Sequence, residues 1–143
     1  MRRQLAVVDT NVWLDLFFFR DPGAHALEAI LESPLWGVAR CEQTDAELSA
    51  VLQRPQFSSS AAERSRMLDS VRACQARTTL FALLAQAPCR CRDPHDQKFV
   101  DLAFSARADV LLTKDKALLA LQRKTRPLGV QILSPREFGR RFG

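Results

Sequence analysis

Four acidic residues stand where chemistry could use them. Asp9 closes the apolar run Leu5-Ala-Val-Val8, Glu47 lies in "TDAEL", Asp96 in "RDPHD" and Asp115 in "LLTKDKALL". A carboxylate at the end of a buried run is costly unless it is paired or holds a metal. Each acid also has a purely structural reading, because acids are enriched at helix starts. Asp9 or Asn11 could cap the following helix, Thr44-Asp-Ala-Glu47 matches a capping box, Asp93 could cap Pro94 onward, and Asp115 could cap Lys116 onward. Brought together, however, several carboxylates repel, and ionising them all requires a cation. An all-oxygen set without thiolate or imidazole suits Mg²⁺ or Mn²⁺.

The elements that must position these acids follow from the apolar patterning. Leu5 to Val8 reads as a strand buried on both faces, since its apolar residues run on instead of alternating. Ala24 to Leu31 reads as a helix and Trp36 to Ala39 as a second strand. A helix starts at Thr44, with Leu48, Val51 and Leu52 as its apolar stripe, and ends before Pro55. After the Ser58-Ser59-Ser60 loop, Ala61 to about Leu84 reads as helical. Asp93-Pro94 opens another helix, with Phe99, Leu102, Ala103 and Ala106 on one face. Val110 to Leu112 is a strand, Lys116 to Lys124 a helix, Val130 to Leu133 a last strand, and Arg136 to Arg141 a closing helical turn. Strands alternating with helices give an α/β fold with a mostly parallel sheet and helices on both faces. In such sheets ligands bind beyond the carboxyl ends of the strands, where Asp9 and Asp115 fall.

Size and composition set the frame. A chain of 143 residues is expected to form one domain spanning 1–143. With 47% apolar and 26% charged residues it reads as an ordinary globule. Twenty-one Lys and Arg against sixteen Asp and Glu give +5, which mildly favours an anionic partner such as nucleic acid. Arg2 and Arg3 imitate the basic start of an export signal, but Asp9 cuts the apolar stretch short. No uncharged run approaches the ~20 residues of a membrane span, so no membrane partner and a cytoplasmic location are expected. Phe17-Phe18-Phe19, flanked by Asp15, Arg20 and Asp21, is expected in the core or at a partner surface. Cys41, Cys74, Cys89 and Cys91 fit no disulfide framework and read as reduced thiols. Cys89-Arg-Cys91 with His95 has the wrong spacing for a zinc site. The five glycines, Gly23, Gly37, Gly129, Gly139 and Gly143, are too scattered to cradle a phosphate chain.

The stretches "VVDTNVWLD", "TDAELSAVLQRPQF", "RDPHDQKFVDLAFSARADVLLTKDKALL" and "ILSPREF" resemble the PIN-domain nucleases, in order, from Val7 to Phe138. They are most similar to the bacterial branch described as toxins of toxin-antitoxin systems. The resemblance implies a PIN-like three-layer α/β/α sandwich and metal-dependent cleavage of RNA phosphodiesters. It matches Asp9, Glu47, Asp96 and Asp115 to the family's acidic constellation, and Asn11 and Thr113 to the polar positions that orient the acids. Asp9 and Asp96 are then the expected direct ligands of Mg²⁺, for which Mn²⁺ substitutes. Glu47 and Asp115 complete a second position or act through water. Asp93 is expected as a helix cap and Asp101 as a helix-surface residue. Arg90, Arg92, Lys114 and Lys116 flank the acids and are candidates for holding the RNA backbone. The implied partners are RNA and a cognate antitoxin protein, with a homodimer also allowed. Lys114 stands where the family often has glycine, and Lys116-Ala117 where acids are frequent, which makes the surroundings of Asp115 more positive. Two alternatives compete: a catalytically silent PIN-like binding module, and a haloacid-dehalogenase-type phosphatase with Asp9 as nucleophile. The second has Asn11 where its general acid belongs and lacks the ~100 residues of a cap domain.

Overall fold

The computed structural model describes residues 3–19, 24–57, 60–84 and 86–142, with only the backbone of Phe19. Arg2, the Arg20-Asp21 flank of the aromatic triplet, Gly23, Ser58-Ser59 of the proposed loop and Gly143 lie outside them. Five strands form one sheet: β1 (Gln4–Val8), β2 (Trp36–Arg40), β3 (Thr79–Leu80), β4 (Val110–Leu112) and β5 (Gln131–Leu133), in the order β3-β2-β1-β4-β5. Every pairing is parallel. All carboxyl ends therefore share one edge.

The apolar run that opens the chain explains the layering. Ala6, Val7 and Val8 are all buried, and because strand side chains alternate they feed two separate cores. Ala6 and Val8 join Val38, Val110 and Leu112 on one face of the sheet. That face is covered by α1 (Thr10–Leu14), α2 (Ala24–Glu32), α3 (Glu42–Leu52), α4 (Ala61–Gln75) and α8 (Pro135–Phe142). Val7 joins Ala39, Leu111 and Ile132 on the other, against α5 (Gln97–Ser105), the short α6 (Lys116–Leu119) through Leu118, and Leu121 just before α7 (Gln122–Thr125). The result is a three-layer α/β/α sandwich around a wholly parallel sheet. The aromatic triplet contributes to the first core: Phe17 stacks on Trp13 at 6.0 Å and Phe18 packs on Phe57 at 4.6 Å between ring centroids.

One region adds to the sequence expectations, and three expectations need correction. The chain leaves β1 directly into α1 and a π-helical turn over Asp15–Phe19, ahead of the expected helix at Ala24. The stretch expected to stay helical from Ala61 to Leu84 stops at Gln75. There Thr78 Oγ1 donates to the Gln75 carbonyl at 2.7 Å and accepts from Arg40 Nε at 2.8 Å, turning the chain into edge strand β3. Pairing with β2 overrides the helix pattern. The helix expected over Lys116 to Lys124 breaks between Leu119 and Gln122, and the chain then turns at Gly129, whose φ of +99° suits glycine. Finally, α3 starts two residues before Thr44. Cys41 is its cap, and Thr44 Oγ1 accepts from the Cys41 N–H at 3.1 Å, so the capping box runs from Cys41 to Thr44 and excludes Glu47.

Candidate active site

Asp9 continues the β1–β4 ladder, its N–H donating to the Leu112 carbonyl at 3.0 Å. Its backbone carbonyl accepts the first bonds of α1, while its side chain makes no cap bond, so the capping explanation fails here. Asp9 is 3% exposed. Thr113, fully buried after β4, donates from Oγ1 to Asp9 Oδ2 at 2.8 Å. The same hydroxyl accepts from the Asp115 N–H at 2.9 Å, so one threonine sets both acids. Burial pushes the Asp9 pKa up from 3.8 to about 6; the Thr113 bond opposes that rise, and the charges of Glu47 and Asp115 add to it.

Asp96 ends the 3-10 turn Pro94–Asp96 that precedes α5. Asp93 caps that turn, as expected, accepting from the His95 N–H at 3.0 Å. Asp96 itself makes no cap bond, and its Oδ2 is buried without a hydrogen-bond partner among the described residues. Its pKa also rises to about 6, first through burial and then through Asp115, Asp9, Asp93 and Glu47. Those contributions place the four acids in one electrostatic field.

The other two acids are held differently. Glu47 projects from the first half of α3, where Thr10 Oγ1 donates to its Oε2 and Lys98 Nζ of α5 lies 2.7 Å from its Oε1. Asp115 does cap α6, with Oδ1 accepting from the Ala117 N–H at 2.7 Å and the Leu118 N–H at 3.3 Å. Asn11 is exposed on α1. Of the four candidate backbone contacts, Arg90, Arg92 and Lys116 are exposed, and Arg90 donates to Gln86. Lys114 is exposed, but its ammonium pairs with Oδ2 of the buried Asp15. Asp101 is not a free surface residue: its Oδ1 accepts from the Ala87 N–H at 2.9 Å and from Gln97 Nε2 at 3.0 Å.

Thr10, Asp15 and Lys98 are site neighbours that the sequence reading missed. Only Asp15 left a signal, as an acid inside the apolar run Val12-Trp-Leu-Asp-Leu-Phe-Phe, the same anomaly that singles out Asp9. The donor chemistry fits a hard cation. Asp9, buried, and Asp96, half-buried, offer oxygens in settings that resist ionisation, and the buried Asp96 Oδ2 has no hydrogen-bond partner among the described residues. No three His, Cys, Asp or Glu side chains among the described residues close into a ready-made metal cage. Two carboxylates suffice for Mg²⁺, which keeps several waters and takes phosphate oxygens as further ligands.

A family model described as a PIN domain matches residues 5–117. No curated protein matches the chain. Among solved structures, VapBC2 from Rickettsia felis bound to a DNA fragment from their promoter is similar in fold. It has 13% sequence identity and a TM-score of 0.59, with 92% of this chain and 98% of that chain covered.

Proposed function

The chain belongs to the PIN-domain family, and on that premise we propose that it is a Mg²⁺- or Mn²⁺-dependent endoribonuclease, the toxin of a toxin-antitoxin pair. The observation that carries the reading is the Asp9–Asp96 pair: a buried and a half-buried carboxyl with raised pKa values, the second with an orphaned buried oxygen, at the sheet edge where α/β folds bind ligands. Asp9 and Asp96 would hold the cation, which when bound lowers the pKa of a water and offsets phosphate charge. Thr113 fixes Asp9 against rotation and ties it to Asp115. Glu47, set by Thr10, adds negative charge from α3 and, with Asp115, would complete a second position or act through water. Asn11 stands beside Thr10 as a further polar neighbour of the site. Exposed Arg90, Arg92 and Lys116 would track the RNA backbone, with Lys114 the least free of the four because Asp15 holds it.

Water adds to phosphorus as the P–O3′ bond breaks and the leaving oxygen takes a proton. The products carry a 3′-hydroxyl and a 5′-phosphate, because the ribose 2′-hydroxyl takes no part. A cognate antitoxin partner is in keeping with the fold of the Rickettsia felis complex, and no helix of the described residues is long and apolar enough to cross a membrane. The phosphatase alternative finds no support in the geometry. Asp9 is 3% exposed and held by Thr113, and Asn11 lies exposed on α1. The test is incubation of an end-labelled RNA with purified protein and Mn²⁺ or Mg²⁺, with the product ends mapped. Internal cuts bearing 5′-phosphates, abolished by EDTA, are expected; 2′,3′-cyclic phosphate ends, or intact RNA at every cation concentration, would reject the proposal.

A further inference from the structure

Among the described residues, Lys98 is the one basic side chain that forms an ion pair with any of the four acids. It sits two positions after Asp96, at the start of α5, and reaches across to α3. Its ammonium has three partners: Glu47 Oε1 at 2.7 Å, the His95 carbonyl, and the Phe99 ring, whose centroid is 5.3 Å away. Its side chain is only 20% exposed. This is a seated cation, unlike a lysine waving at a solvated face, and Thr10 holds the second oxygen of the same carboxylate. Glu47 is thus charge-balanced from within the chain. Asp96 Oδ2, on the element that anchors Lys98, has no partner.

We propose that Lys98 is a positioning residue that acts as the site's internal counter-ion. Its ammonium holds Glu47 in place in the cation-free site, and cation binding exchanges with release of Lys98. The inference rests on the cation-dependent reading of the site given above. It follows from charge: a divalent ion near Asp9 and Asp96 attracts Glu47 and repels the ammonium, and both effects pull the ion pair apart. The lysine stem is long enough to let its head swing into solvent once released. Lys98 therefore lowers the site's affinity for cation while keeping the empty site from opening under its own repulsion.

Two measurements on RNA-free protein test this. Amine-reactive labelling of the wild type, read by mass spectrometry, should find Lys98 protected without cation and labelled severalfold faster with Mg²⁺, while exposed Lys124 on α7 labels equally in both. Mn²⁺ titration should give Lys98→Met an affinity about tenfold higher than wild type, with Lys98→Arg and the charge control Lys124→Gln close to wild type. Unchanged Lys98 labelling on adding Mg²⁺, or equal or weaker Mn²⁺ binding in Lys98→Met, overturns the inference while leaving the cation-dependent site intact. No Mn²⁺ binding by the wild type or any variant overturns both. The labelling arm needs no substitution, so it decides the matter even if Lys98→Met fails to fold.

Discussion

At a single carboxylate, burial bears directly on the function proposed. Asp9 has its pKa near 6 in the folded protein, whereas about 4 is usual in an unfolded chain. The folded state therefore binds that proton more tightly, and cation-free stability falls as pH rises from about 4 to about 6, staying low above. For Asp9 the loss is of order 3 kcal/mol. Asp9→Asn removes this penalty while keeping an acceptor for Thr113, so cation-free Asp9→Asn should melt several degrees above wild type at pH 7.5 and close to it at pH 4. Equal melting at pH 7.5 would contradict the burial assigned to Asp9. Asp9 and Asp96, both with pKa raised to about 6, must ionise to hold a cation, so Mn²⁺ affinity should climb between pH 5 and 7 with proton release measurable by calorimetry. Glu47 now has a sharper test, because Thr44 and Cys41 complete the cap without it. Glu47→Gln should lower Mn²⁺ affinity or cleavage by roughly tenfold with little change in melting. Thr44→Ala should cost about 1 kcal/mol of stability and spare the site. Normal cleavage kinetics in Glu47→Gln across a Mn²⁺ titration would remove Glu47 from the machinery.

At the scale of elements, periodicity was readable wherever packing agreed with it. The strand at Val110–Leu112 and the apolar face of α5 follow directly from their sequences, and Ala6-Val7-Val8 states its own double burial. Edge strand β3 is only two residues long and depends on β2 and Arg40 for its existence, so no local pattern announces it. The contacts that orient the site are equally non-local: Thr10 and Glu47 are 37 residues apart, and Asp9 and Thr113 are 104 apart. Gln97 and Asp101 illustrate the same point on α5. Gln97 Oε1 accepts from the Cys91 N–H at 2.6 Å and its Nε2 donates to the Cys89 carbonyl at 3.0 Å, while Asp101 takes Ala87. Together they pin to the helix the segment that carries Arg90 and leads into Arg92. Asp101→Ala should cost about 1–2 kcal/mol and speed hydrogen exchange at the Ala87 amide. Unaltered exchange there would mean that Gln97 and the buried cysteines hold the segment without Asp101.

For the whole molecule, five parallel strands deliver to one edge the segments that bear Asp9, Asp115 and the start of α3, and the two-faced core beneath keeps that edge rigid. A net charge of +5 on such a frame favours an anionic polymer as ligand, while the site itself is acidic; the cation of the proposed function would reconcile the two. The claim that Asp9 works through such a cation is tested most directly by the rate of end-labelled RNA cleavage across a Mn²⁺ titration, for wild type and Asp9→Asn side by side. A saturable, EDTA-sensitive wild-type rate that falls by at least ~100-fold in a folded Asp9→Asn is predicted; wild-type rates in that variant, or undiminished cleavage by metal-stripped protein, would contradict it.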